Sequence, residues 1–204
     1  MALPLTARFF ALVVALAAWA GLAVQLEASI GLTGSAGAAA WAMLRYFTVI
    51  TNLIVALLFT AVLPRGRASP FALGGATMAI LLVGIVFALL LNGLVELSGG
   101  ALLADFLLHK ATPALAVFWW LAFAPKGGLM RRDPFVWTLY PLAYFAYALI
   151  RAQLDGRYPY PFMDAGRIGW LQTSLNGIEV AAGFLLAGLL LVRLDHWLAR
   201  RPAD

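Results

Sequence analysis

Residues 72–95 read ALGGATMAILLVGIVFALLLNGLV, a run of 24 with no charged side chain. As a helix rising about 1.5 Å per residue, a run of this length crosses the hydrocarbon core of a bilayer, which is about 30 Å thick. Five further apolar segments flank it, at 8–26, 42–63, 103–124, 134–152 and 171–194. Pro64, Pro125 and Pro134 stand where segments begin or end, as Pro does at helix boundaries. Of the 204 residues, 64% are hydrophobic and 11% charged, whereas a soluble domain carries roughly 25% charged residues. The pattern predicts an all-α polytopic membrane bundle of six transmembrane helices. The whole chain, 1–204, reads as a single integral membrane domain with no soluble domain appended and no internal repeat.

The loops orient the bundle. Arg8 precedes the first segment, and Arg65 and Arg67 follow the second. Lys126, Arg131 and Arg132 follow the fourth, and Arg193, Arg200 and Arg201 close the sixth. Residues 27–41 and 96–102 hold no Lys or Arg. Basic residues favour the cytoplasmic side, so both termini are expected inside (N-in and C-in). The longest outer loop, 153–170, departs from the rule with Arg157 and Arg167, and also holds Asp155 and Asp164. Arg8, an apolar stretch and the Ala18-Trp19-Ala20 triplet also fit a cleavable leader. The apolar run continues to Leu26, however, and is read as the first span. Abundant Ala, Gly and Arg beside only two lysines, Lys110 and Lys126, fit a bacterial chain. The expected location is therefore a multi-pass protein of the bacterial inner membrane, with membrane lipids as partners. The oligomeric state is left open.

Composition also excludes chemistries. There is no cysteine, so thiolate catalysis, disulfides and cysteine metal sites are out. The net charge of +5 is spread over the loops and forms no stripe that could follow phosphates, so nucleic acid is not an expected partner. GxSxG, HExxH and Walker A motifs are absent. No cofactor and no metal site are expected: one intramembrane histidine cannot make a bis-histidine haem site, and Glu179 has no acidic neighbour on its face.

Polar residues inside the apolar segments crowd the outer halves. Thr48, Thr51 and Asn52 share a face of the second segment at i, i+3 and i+4. The third ends with Asn92 and Glu96, and the fourth begins with His109, Lys110 and Thr112. The fifth carries Tyr140, Tyr144, Tyr147 and Arg151 on one stripe, and the sixth Gln172, Asn176 and Glu179. Ionisable groups in lipid cost roughly 2.5–3.5 kcal/mol each, so they should face one another or a wet cavity. One polar cavity in the outer half of the bundle is expected, lined by Thr51, Asn52, Asn92, Thr112, Tyr147, Arg151, Asn176 and Glu179. Glu27 and Glu96 read as interfacial residues. Gly84 with Ala88, and Gly183, read as packing positions that let helices approach.

A hydroxyl and an imidazole remain as the reactive groups. Thr48 and His109 lie about equally far from the outer ends of their segments. His is the usual base for a hydroxyl nucleophile, and Asn52 or Asn176 could supply donors to an oxyanion. The plainer reading gives Thr48 a bond to its own helix carbonyl and His109 a structural hydrogen bond. In the outer loop, Tyr158-Pro159-Tyr160-Pro161-Phe162-Met163-Asp164 reads as an extended, PPII-like strip, either a lid over the cavity or an aromatic anchor at the membrane surface. Trp41, Trp137, Trp170 and Trp197 read as interface anchors.

Three stretches resemble a known family. They are Arg45-Tyr46-Phe47-Thr48-Val49-Ile50-Thr51-Asn52-Leu53, Leu107-Leu108-His109-Lys110-Ala111-Thr112-Pro113, and the Tyr158 to Asp164 loop. In that order they resemble the androgen-induced membrane protein family, and more closely its bacterial branch, over nearly the whole chain. Animal members hydrolyse fatty acid esters of hydroxy fatty acids with an intramembrane Thr and His. The resemblance implies a lipid-ester hydrolase with Thr48 as nucleophile and His109 as base. Two departures stand out: His109 is one residue closer to its Pro than in the animal proteins, and Thr51 competes with Thr48 for the matching position. Arg151 is a candidate to hold a substrate carboxylate, against a plainer headgroup contact. The alternative function is a non-enzymatic small-molecule binder or transporter using the same cavity. A transporter would be expected to show inverted repeats or broken midplane helices, and neither is evident.

Overall fold

The computed structural model describes residues 3–66, 69–93 and 96–200. Arg67, Arg201 and residues 94–95 at the end of the third apolar segment lie outside the described residues. Among the described residues every regular element is helical. Six helices are long: α1 Leu5–Thr33, α2 Phe47–Arg65, α3 Pro70–Leu91, α4 Gly99–Phe123, α5 Asp133–Asp155 and α6 Trp170–Ala199. All but α5 are long and apolar enough to cross a membrane. α5 has the length, at 23 residues, but its Tyr stripe and its terminal Asp133, Arg151 and Asp155 dilute its apolar character.

The chain divides into two compact units, Met1–Gly128 and Leu129–Asp204. In the first, α1 packs on α2 and α4, and α3 packs on α2 and α4, closing a four-helix ring. Small residues bring α1 close to its neighbours: Ala7, Ala11, Ala15 and Ala18 are all buried. Gly21 leaves room for Leu108, whose side chain a Cβ would meet at 2.8 Å. Trp119 is fully buried and donates its indole N–H to the Ala7 carbonyl at 2.8 Å, which satisfies the polar end of a large apolar ring. In the second unit, α5 and α6 pack as a pair, joined through the 156–169 connection. Asp195 of α6 accepts the Leu129 N–H at 3.1 Å, and His196 meets the Leu129 carbonyl at 2.8 Å. The two neighbours on α6 thus clasp both sides of one residue at the start of the unit.

Several local expectations change. α1 runs unbroken past Ala20 to Thr33 and ends on Gly34, whose φ of 80° only glycine adopts easily. α2 continues through Pro64 to Arg65, because a proline near a C-terminus lacks only one donor and the left-handed Gly66 ends the helix instead. Its predicted first turn belongs to a separate short helix, Ala36–Met43, capped by Ser35. The Tyr-Pro strip is not extended throughout. Pro161–Met163 forms a single 3-10 turn with proline at its first position, where its missing N–H costs nothing. Trp137 is buried and is no interface anchor, whereas Trp41, Trp170 and Trp197 are exposed.

Candidate active site

The site is built around Pro113 in α4. A proline inside a helix offers no N–H to the carbonyl four residues back and crowds it. Just upstream, α4 widens into a π-turn, Leu107–Ala111, in which the Thr112 N–H bonds to the Leu107 carbonyl. That register skips Leu108. The carbonyls of Leu108 and His109 are both left without their usual helix donors, one by the widened turn and one by the proline. Single π-turns of this kind recur at functional sites.

Neighbouring helices take up what the turn releases. Asn52, fully buried on α2, donates through Nδ2 to the Leu108 carbonyl at 3.1 Å and to the Thr48 carbonyl at 2.9 Å. One amide group therefore ties the turn bearing Thr48 to the turn bearing His109. From α3, Gly84 faces the His109 carbonyl and Pro113. A Cβ there would lie 3.2 Å from each, so the missing side chain is what admits the bare carbonyl. α3 has a π-turn of its own, Phe87–Leu91, and Phe87 stacks on His109 with ring centroids 4.0 Å apart and planes 13° from parallel.

His109 is further held by a residue one turn earlier. Its Nδ1 lies 3.0 Å from Asp105 Oδ1 and 3.2 Å from the Asp105 carbonyl oxygen. Lys110 Nζ lies 3.9 Å from Asp105 Oδ2 and over the Phe87 ring at 5.5 Å. The His109 and Asp105 side chains are 18% and 11% exposed, against 51% for Lys110. The imidazole is thus fixed by one nitrogen and one face, and among the described residues nothing hydrogen-bonds Nε2. Chemically, the cluster offers a ring nitrogen able to accept a proton, backed by a carboxylate, in an apolar four-helix ring.

Thr48, Thr51 and Thr112 are all buried in the same unit. Asn52 takes a different part from the one its sequence position suggests. Both amide hydrogens are engaged by backbone carbonyls, so it cannot serve as an oxyanion donor. Its Oδ1 and the Thr112 hydroxyl are buried and make no hydrogen bond among the described residues. Asn92, the residue just after the α3 π-turn, is exposed. Gly84 is the packing position the sequence suggested, while Ala88 is exposed.

In the second unit the polar groups are engaged locally. Arg151, 3% exposed, donates from Nη1 to the Tyr147 hydroxyl at 2.8 Å, and its Nε lies 3.7 Å from Asp155 Oδ2. Tyr144 and Tyr147 pack with ring centroids 6.3 Å apart. Asn176 donates to the Phe162 carbonyl at 2.7 Å and accepts from Gln172 at 2.9 Å, pinning the Tyr-Pro loop to α6. One Nδ2 hydrogen and the Oδ1 atom are thus taken up in holding that loop. Glu179 is exposed, and nothing lies within 4 Å of a Cβ at Gly183. Among the described residues no three His, Asp or Glu side chains come together to hold a metal ion.

Asp105 is the residue that sequence reading passed over. The signal was present: a carboxylate four positions before a histidine within one apolar segment, the spacing that puts both on one helix face. Pro113 likewise announced a disturbed helix at residues 108 and 109. Compared with protein-family models, with curated proteins and with solved structures, the chain matches none.

Proposed function

We propose that the protein is an intramembrane lipid-ester hydrolase of the kind the resemblance to the androgen-induced membrane protein family implies, with Thr48 as nucleophile and His109 as base. The observation that carries this reading is the Asn52 amide, which joins the Thr48 turn of α2 to the His109 turn of α4 through two short bonds. A hydroxyl gains nucleophilicity when a nearby base takes its proton, and the widened turn keeps one face of the imidazole packed and Nε2 unengaged. In the proposed reaction the Thr48 oxygen attacks the ester carbonyl carbon while its proton passes to His109. The tetrahedral intermediate collapses by breaking the bond to the alcohol oxygen, which takes the proton back and leaves as the hydroxy product. Water, deprotonated by His109, then attacks the acyl carbon; the bond to Thr48 Oγ breaks, the proton returns from His109 to Oγ, and the fatty acid is released. Oxyanion donors come from groups other than Asn52. The acyl chain lies along the apolar inner parts of α2 to α4.

The reading includes α5 as a sixth span, with N-in and C-in topology in a bacterial inner membrane. Its support is the length of α5 and the local pairing of Arg151 with Tyr147 and Asp155, which lowers the cost of an ionised group in lipid.

The test is turnover of a long-chain fatty acid ester of a hydroxy fatty acid by the purified protein, with a hydroxyl-directed covalent hydrolase probe as a second readout. Thr48→Ala and His109→Ala should each lose turnover by about 10³-fold or more and lose probe labelling. The double variant should be little worse than either, since residues acting as one unit are not additive. Thr51→Ala should keep both activities. Wild-type turnover by purified Thr48→Ala would overturn the proposal. A reporter fused after Arg201 should be active only in its cytoplasmic form, and periplasmic activity would overturn the topology.

A further inference from the structure

We infer that Asp105 is the positioning residue of this site, holding the neutral His109 ring with its proton on Nδ1 and its lone pair on Nε2. The assignment follows from what surrounds Nδ1. Both atoms within hydrogen-bond distance are oxygens: the carboxylate Oδ1 at 3.0 Å and the residue's own carbonyl at 3.2 Å. A carbonyl oxygen can only accept, and a carboxylate is an acceptor when ionised. Nδ1 must therefore be the donor, and in a neutral imidazole the other nitrogen then carries the lone pair. A histidine side chain free of such partners prefers the opposite form, with the proton on Nε2, in which no base would be presented beyond the Asp105 side.

Three contacts keep the pair in register. Asp105 and His109 are one helical turn apart on α4, so they share a face. Phe87 covers one face of the imidazole and resists rotation of the ring out of the carboxylate's reach. Lys110 Nζ stands 3.9 Å from the second carboxylate oxygen, Oδ2, while His109 takes Oδ1. Asp105, its side chain 11% exposed, thus sits beside one ring nitrogen and one ammonium, with each oxygen near a group that donates. Its catalytic consequence rests on the hydrolase reading: a base oriented by a third group is the arrangement that activates hydroxyl nucleophiles. The state of the ring does not rest on that reading.

The deciding measurement is the ¹⁵N spectrum of the histidine-labelled, full-length protein in lipid nanodiscs at about pH 9, where an ordinary imidazole is neutral. The chain has two histidines, so a His196→Gln spectrum assigns His109. The wild-type ring is expected in the Nδ1–H form. Asp105→Leu should move it toward Nε2–H, because only the more distant backbone carbonyl remains, and Asp105→Glu should restore it. With the fatty acid ester as substrate, Asp105→Leu should lower kcat by up to about 10⁴-fold with little change in KM, the size of loss seen when the orienting acid of a catalytic triad is altered. Asp105→Glu should recover a large part of that loss. A wild-type ring in the Nε2–H form overturns the inference, even if no Asp105 variant folds. So does an Asp105→Leu protein that keeps the wild-type tautomer. An Nδ1–H ring that shifts in Asp105→Leu upholds it whatever Thr48→Ala does to turnover, so the positioning role and the hydrolase reading fail by different results.

Discussion

Pro113 and Pro141 each lie within a long helix, one in each compact unit, and the chain answers them differently. α5 runs as α-helix from Asp133 through Pro141 to Asp155. α4 opens into a π-turn just before Pro113. A proline removes one donor and crowds one carbonyl in either case. The difference lies in the neighbours. At Pro113, Asn52 supplies an amide to the skipped Leu108 carbonyl, and Gly84 leaves space for the His109 carbonyl. A widened turn becomes affordable when packed helices satisfy what it exposes, and the proline alone does not produce it.

The comparison is broken most directly by restoring the donors. Pro113→Ala returns an N–H to the His109 carbonyl and favours closure of the π-turn. Removing one residue of register rotates the preceding part of α4 by about 100°. Turnover of the lipid ester should fall about 10²-fold, the usual consequence of a misplaced catalytic group, while Pro141→Ala should change it less than about threefold. Equal losses would mean that the turn has no special part in the site.

A smaller effect is expected on stability. Asn52→Leu strands the buried Leu108 carbonyl and should cost roughly 1–3 kcal/mol, read as a shift in detergent unfolding. Asn176→Ala cuts the corresponding clasp in the second unit. Water can reach the half-exposed Phe162 carbonyl there, and the cost should stay under about 1 kcal/mol. The two helix glycines sharpen the contrast further. Gly84→Ala places a Cβ 3.2 Å from the His109 carbonyl and should destabilise by about 1 kcal/mol through overpacking. Gly183→Ala meets nothing within 4 Å and should be neutral or stabilising by a few tenths of a kcal/mol, up to about 1, as helix propensity favours Ala. Thermal unfolding of the two variants side by side checks the sign.

The same contrast shows why some polar residues were legible beforehand and others were not. Thr48, Thr51 and Asn52 share a buried face as their spacing requires, because helical periodicity is a local property. What Asn52 does on that face depends on a carbonyl 56 positions away. Arg151 stood at the end of a Tyr stripe and read as a candidate to hold a carboxylate, against a plainer headgroup contact. Its guanidinium also meets Tyr147 and Asp155 within α5, contacts that spacing permits but does not select.

The sequence by itself determined the helices. The described part of the 72–95 run forms α3 Pro70–Leu91, and the other apolar segments form helices, with ends shifted by a few residues and one N-terminal turn split off. That much is local, since it depends on apolar length, proline position and the backbone's need to satisfy its own hydrogen bonds in an apolar medium. The tertiary structure decided the π-turns, the stacking of Phe87 on His109 and the division into two units. It also set the use of the Asn52 amide and the orientation of the Asp105–His109 pair. Each of these turns on which side chain from another helix reaches a polar group that its own helix has left unsatisfied. Spacing along one helix cannot specify that choice, because the competing partners lie far apart in the chain and are selected only when the helices pack.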